Sequence, residues 1–265
     1  MRIALGIEYD GSQFHGWQRQ KHETQTVQEK LEGALSFVAN HSVSVVCGGR
    51  TDTGVHGVGQ VVHFDSDAIR DEKAWVFGGN AKLPDTIAIK WAKPVPDDFH
   101  ARFTAQARSY RYAIYNHPVR PAIGMTHLTW NFRPLSIELM QQGAQCLVGE
   151  HDFSSFRAIG CQSKSPVREV TDLALTQYGR LIVMDIKANA FLQHMVRNIA
   201  GVLMAVGAEK MPPEWVADVL SHRDRTKGGV TAPPYGLYFM KVWYPEQYQI
   251  PEPEQNAPFM PLPLS

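Results

Sequence analysis

The sequence predicts an α+β protein whose chain runs twice through the order β-α-β-β-α-β, and three patterns point that way. Short stretches alternate apolar and polar residues with the period of a half-buried strand. Longer stretches carry apolar residues at helical spacing. The order in which these two kinds of stretch follow one another in the first half returns in the second.

Residues Arg2 to Tyr9 alternate, with Ile3, Leu5, Ile7 and Tyr9 on one face. A polar loop follows, then a helix from about Val27, with Thr26 as its cap, Glu29 three residues on, and Val27, Leu31, Leu35 and Val38 as its stripe. Val43 to Cys47 and Val58 to Phe64 read as strands flanking a glycine-rich loop. Arg70 to Gly79 reads as a helix and Ile87 to Trp91 as a strand. The second half begins with a strand at Arg108 to Tyr115 and a helix at Ile137 to Val148. Strands near Val170 to Thr176 and Leu181 to Lys187 come next, then a helix from Phe191 to Val206 and a strand at Leu237 to Trp243. Pro213 to Ser221 adds a helix with proline in its first turn.

The expected layout is therefore residues 1–104, residues 105–246, and a proline-rich, irregular tail at 247–265. The halves share the order of elements rather than sequence. Each matches the split βαβ, ferredoxin-like unit: an antiparallel sheet with helices packed on one face and the other face left for a ligand. RNA-recognition domains use this unit to read unstacked bases, but the fold alone assigns no function.

At 265 residues the chain can bury an ordinary core. Its 26 Lys and Arg balance 26 Asp and Glu, which excludes a general nucleic-acid coat protein. Binding to nucleic acid would have to be local, through clusters such as Arg102, Arg108 and Arg111, or Arg223, Arg225 and Lys227, which otherwise are solvated faces. Cys47, Cys146 and Cys161 lack metal-type or redox-type spacing, so reduced thiols and a cytoplasmic location are expected. Met1 to Gly6 runs directly into a strand pattern instead of a secretory signal, and no apolar run is long enough to cross a bilayer.

The segment from Cys47 to Gln60, Cys-Gly-Gly-Arg-Thr-Asp-Thr-Gly-Val-His-Gly-Val-Gly-Gln, is dense in glycine. Such density goes with tight turns or the close approach of a ligand. It has neither the Walker spacing nor a dinucleotide fingerprint. Asp52 at its centre is suited either to forming a local turn or to chemistry. His56 and His63 lie seven residues apart with no compact acid or cysteine cluster, which favours structural roles over metal binding.

The run GGRTDTGVHGVGQVVHF resembles the active-site motif of the bacterial tRNA pseudouridine synthase A family. The similarity continues in EYDGSQFHGWQRQ, in FHARFTAQARSYRYAIYN, in DFSSFRAIG and in NAFLQHMVRNIAG. It implies an isomerase acting on uridines 38, 39 and 40 of the tRNA anticodon stem-loop. It further implies two halves joined around a central RNA-binding cleft, a homodimer holding each tRNA jointly, and no cofactor or metal. Isomerising uridine breaks the bond from ribose C1′ to base N1 and rejoins the base through C5. A carboxylate serves this either as a nucleophile or as a base that removes a sugar proton.

By the same resemblance Asp52 is the catalytic carboxylate and Arg197 its cationic partner, offsetting the cost of an ionised group in a partly buried place. Tyr110 is expected against the target uracil, with Leu192 and Met195 walling the pocket. Arg50 is expected to displace the target base, which is inaccessible inside a stem. Arg102 and Lys164, with His100 and Gln162 beside them, are expected on the RNA backbone, where contacts position without reading sequence. Two other classes compete: a noncatalytic RNA-binding module, and a metal-assisted hydrolase, which Thr51 and Thr53 around Asp52 do not equip.

Overall fold

The computed structural model describes residues 1–20 and 25–253. The chain is a mixed α+β protein with ten strands among the described residues, most of them paired antiparallel. Met1–Gln106 with Tyr238–Ser265 form one compact unit and Ala107–Leu237 another.

In the first unit β1 (Arg2–Tyr9) is followed by α1 (Val27–Ala39), β2 (Val46–Cys47), β3 (His56–Asp65) and β4 (Ile87–Val95). β1 lies between β4 and β3, antiparallel to both, and β2 pairs antiparallel with the far edge of β3 through Val46–His63 and Cys47–Val62. The last strand of the chain, Leu237–Trp243, meets β3 in parallel at Tyr238–His56 and Phe239–Gly57. Sequence order alone had put that strand in the second half.

Alternation in β1 has the expected consequence. Ile3, Leu5, Ile7 and Tyr9 point to one face and pack with Val27, Leu31 and Leu35 of α1 and with Val62, Phe64 and Trp75. Each fully buried side chain of this size stabilises the fold by about 1.5–3 kcal/mol. Thr26 caps α1 by accepting from the Glu29 N–H at 3.4 Å, and Asn40 ends the helix in the left-handed region at φ 58°.

The second face of this sheet is not left open, as the sequence pattern suggested. Ala4 and Val61 on it are covered by Phe99, Ala101 and Tyr248, with Tyr244 and Ile250 alongside. Lys93 Nζ donates to the Tyr248 and Gln249 carbonyls at 3.1 and 2.7 Å. The start of the expected tail is therefore docked, while residues 254–265 of it lie outside the described residues.

One element is shorter than expected for a physical reason. Val43 to Val45 form no ladder because α1 takes their donors: Ser36 Oγ accepts from Val43 N–H at 2.9 Å and Glu32 Oε1 from Val45 N–H at 3.0 Å. The helix expected at Arg70 to Gly79 is present at residues 72–80, with a π segment, Ala74–Gly78, at its centre that sets Trp75 edge-on to Phe64 with ring centroids 5.0 Å apart.

The second unit contains β5 (Ala107–Asn116), β6 (Thr129–Asn131), α2 (Ile137–Ala144), β7 (Gly149–Asp152), β8 (Val167–Tyr178), β9 (Leu181–Ala188), α3 (Met195–Gly207) and α4 (Trp215–His222). Its sheet runs β5-β9-β8-β7, antiparallel throughout, with β6 parallel to β5. Leu237–Trp243 is β10. Residues 191–194 turn rather than continue α3, because His194 sits at φ 63°. No described helix is long and apolar enough to cross a membrane.

Candidate active site

Asp52 lies half-buried in the loop between β2 and β3, and the loop is held from below by side chains of β1 and β3. The buried Tyr9 hydroxyl bonds Thr51 Oγ1 at 2.8 Å and also engages Gln60. Burial raises the Tyr9 phenol well above its ordinary range, so it stays neutral and available to the pair. Gln60 in turn donates from Nε2 to the Gly49 carbonyl at 2.6 Å and accepts from Gly49 N–H at 3.3 Å. On the opposite flank the chain from Gly11 to Trp17 closes on the loop. Trp17 N–H donates to Thr51 O at 3.0 Å and Gly54 N–H to Phe14 O at 3.4 Å.

Glycine is required at two of these approaches. A Cβ on Gly11 would stand 1.9 Å from Val55 O, and one on Gly57 2.4 Å from the Tyr9 ring. The glycines of the loop region thus serve close backbone packing. Cys47, at the loop's start, has its thiol pushed up to about 11 by burial, against the pull of Arg50, so it is an unreactive thiol. His56 is buried with Nδ1 accepting from Gly11 N–H at 3.1 Å and its ring stacked on Tyr238 at 4.7 Å. His63 accepts from Ala101 N–H at 3.1 Å.

Arg50 projects exposed two residues before Asp52. Arg102 is exposed and His100 half-buried on the turn after β4, where burial lowers the His100 pKa below its ordinary value. The first unit therefore carries Arg50, Asp52, His100 and Arg102.

The second unit carries the remaining expected residues. Tyr110 on β5 is buried, edge-on to Phe191 with ring centroids 4.9 Å apart. Its neighbour on the same strand face, Tyr112, is committed to the core, with its hydroxyl 2.6 Å from Thr129 Oγ1 and donating to Pro233 O at 2.7 Å. Leu192 and Met195 are buried at the turn into α3. Gln162 and Lys164 are exposed in the loop before β8.

Arg197 on α3 is half-buried and anchored twice to one residue: its Nε donates to Ala232 O at 2.8 Å, and its carbonyl accepts from Ala232 N–H at 3.1 Å. A surface arginine on an amphipathic helix would not be held this way. The segment carrying Ala232 is itself fixed by Arg225, whose guanidinium reaches Asn198 Oδ1 at 3.0 Å, Thr231 Oγ1 at 2.8 Å and Gly229 O at 3.0 Å.

Sequence reasoning missed Tyr9, Thr51, Gln60, Asn198 and Arg225 as supports. The signal was available for Gln60, which shares parity with Val62 and Phe64 on β3 and so had to be a buried polar group in need of partners. Two members of the expected basic clusters are structural. Arg111 pairs across the ladder with Asp185 at 2.7 Å, and Arg225 is committed as described.

A family model described as tRNA pseudouridine synthase matches residues 6–104 and 144–245 of this chain. The chain belongs to the tRNA pseudouridine synthase family, and with it to the isomerases. Relatives named tRNA pseudouridine synthase A are close in sequence and length. That of Alcanivorax borkumensis is 57% identical over 260 residues, covering 98% of this chain and 97% of the relative. That of Pseudomonas aeruginosa is 59% identical over 251 residues, covering 95% and 88%. That of Escherichia coli K12 is 55% identical over 259 residues, covering 98% and 96%.

Proposed function

We propose that this protein converts uridines 38, 39 and 40 of the tRNA anticodon arm to pseudouridine, with Asp52 as the catalytic carboxylate. The observation that carries the reading is the construction around Asp52. A half-buried carboxylate sits in a loop whose neighbours Gly49 and Thr51 are tied by Gln60, Tyr9 and Trp17. A turn-forming aspartate needs no such support, whereas a group that must meet a reacting atom within a few tenths of an ångström does.

In this reading the N1–C1′ bond of the target nucleotide breaks, the uracil turns, and a C5–C1′ bond forms. The C5 proton leaves to solvent and N1 is left protonated, so the reaction balances without an oxidant or an energy source. Asp52 acts as nucleophile or as base. Arg197, fixed by its two bonds to Ala232, supplies positive charge toward an ionised carboxylate. Tyr110 stacks on the uracil, Leu192 walls the pocket, and exposed Arg50 takes the place of the extruded base. Arg102, Lys164, His100 and Gln162 meet the RNA backbone. The enzyme works as a homodimer in the cytoplasm.

The test uses purified wild type and Asp52→Asn with unmodified tRNA tritiated at uridine C5, followed by mapping of pseudouridine. Wild type is expected to release tritium at the three anticodon-arm positions and Asp52→Asn to release none. Release at other positions refutes the site assignment, and equal release by Asp52→Asn refutes the role of the aspartate.

A further inference from the structure

The turn that follows β4 holds an aromatic ring out into solvent, and the turn is built to keep it there. Phe103 is 75% exposed. His100 organises the turn: its Nδ1 accepts from the N–H groups of both Arg102 and Phe103 at 3.2 Å, and its carbonyl accepts from Thr104 Oγ1 at 2.7 Å and Thr104 N–H at 3.0 Å. The His100 ring then stacks on Phe103, with centroids 4.3 Å apart and planes 28° from parallel. Beneath it His63 lies 4.8 Å from His100, itself fixed by the Ala101 N–H. The Arg102 guanidinium reaches over the Phe103 ring at 5.4 Å. Burial keeps both histidines below their ordinary pKa, so the ladder is neutral near pH 7 and its one charge is the arginine.

We infer that Phe103 is a stacking platform for an unstacked nucleobase of the bound RNA, with Arg102 on the adjoining phosphate. The inference rests on RNA being the substrate of this chain and goes beyond the residues assigned above. An exposed phenyl ring leaves apolar surface in water, and an ordinary loop relieves that by rotation; here hydrogen bonds and a stacked imidazole fix it instead. A rigid π-face next to a cation is the arrangement that single-stranded nucleic acid recognises, since every base offers a face and every nucleotide a phosphate. A single exposed ring offers little apolar area to a protein partner, and the adjoining guanidinium suits a phosphate, so RNA rather than a second copy of the chain is the occupant these observations favour.

The experiment measures binding of unmodified tRNA to the full-length protein over a salt series, with sedimentation to follow oligomeric mass. Phe103→Ala is expected to weaken binding about fivefold to 150-fold, with the thermal midpoint, the oligomeric mass and the slope of log Kd against log salt all unchanged. Phe103→Trp is expected to hold or improve affinity, because it keeps the π-face. Arg102→Gln is expected to reduce the salt slope by nearly one ion. Binding by Phe103→Ala within twofold of wild type overturns the inference, as does a loss that Trp does not restore or that accompanies a change of oligomeric mass. Wild type that neither binds tRNA nor releases tritium defeats the functional reading itself, a result distinct from an active wild type whose Phe103→Ala variant binds normally.

Discussion

Gln60 and Gly49 are joined as two paired strand residues would be, with the glutamine carboxamide in the place of one backbone: Nε2 donates to Gly49 O at 2.6 Å and Oε1 accepts from Gly49 N–H at 3.3 Å. Gln60 is fully buried, so neither side of the pair is replaced by water when the other is lost. Gln60→Ala is expected to destabilise the protein by about 1–3 kcal/mol through the unpaired Gly49 groups. Because Gly49 leads directly into Arg50 and Asp52, kcat should fall roughly tenfold to a hundredfold, the scale of a misplacement near 1 Å. Urea unfolding and single-turnover tritium release measure the two effects. A variant that is less stable yet fully active would mean the pair holds the fold and not the loop.

Tyr9→Phe removes one atom of the same network. The ring still fills its place against Trp17, 5.6 Å away, while Thr51 Oγ1 loses a partner at 2.8 Å. The expected cost is about 0.5–1.5 kcal/mol of stability, with kcat lowered and KM for tRNA unchanged, since the hydroxyl is buried beneath the loop. A rise in KM at constant kcat would contradict that placement.

Much of this was legible in the sequence because it depends on short-range periodicity. β1 and α1 follow from alternation, an apolar stripe and a Thr26 cap, and the bounds of β1 and the start of α1 agree with the structure. β10 was also correctly bounded, but its pairing with β3 is a contact across most of the chain that no local pattern encodes. The truncation of the Val43 strand was hidden for a related reason: Glu32 and Ser36 look like solvent-facing helix residues until α1 is laid against that segment. The roles proposed for Asp52, Arg50, Tyr110 and Arg197 rest on family resemblance. What the sequence withheld was the supporting layer, since a buried hydroxyl on a strand and a backbone carbonyl at Ala232 carry no motif.

Two glycine substitutions should move stability in opposite directions. Gly33 lies mid-helix in α1, and a methyl group added there would meet nothing within 4 Å, so Gly33→Ala is expected to stabilise by up to about 1 kcal/mol through helix propensity. Gly201 is also helical, on α3, but its Cβ would stand 1.9 Å from Val230 O and 3.3 Å from Ala232 N. There the same propensity gain is outweighed by overpacking of about 1–3 kcal/mol. The displaced segment is the one that anchors Arg197, so Gly201→Ala should also lose activity while Gly33→Ala keeps it. Thermal midpoints and tritium release on the two variants decide this.

Acid should weaken the first unit through His63. Burial, His100 and Arg2 together lower its pKa to about 4, against a smaller opposing pull from Asp65, and the Ala101 N–H donated to Nδ1 requires that nitrogen to be unprotonated. The unfolded histidine binds its proton near pH 6.5, so between about 6.5 and 4 the unfolded state holds more protons and stability falls as pH falls. The contribution is fully present above about 6.5, and the loss reaches at most about 3 kcal/mol at the lower end. Urea midpoints measured from about pH 7.5 to 4.5 should show this slope in wild type. His63→Gln, whose carbonyl oxygen can still accept from Ala101 and which does not titrate, should flatten it. A wild-type midpoint independent of pH across that window would mean that His63 takes up its proton as readily in the folded protein as in the unfolded one, and so that the Ala101 contact does not hold Nδ1 unprotonated.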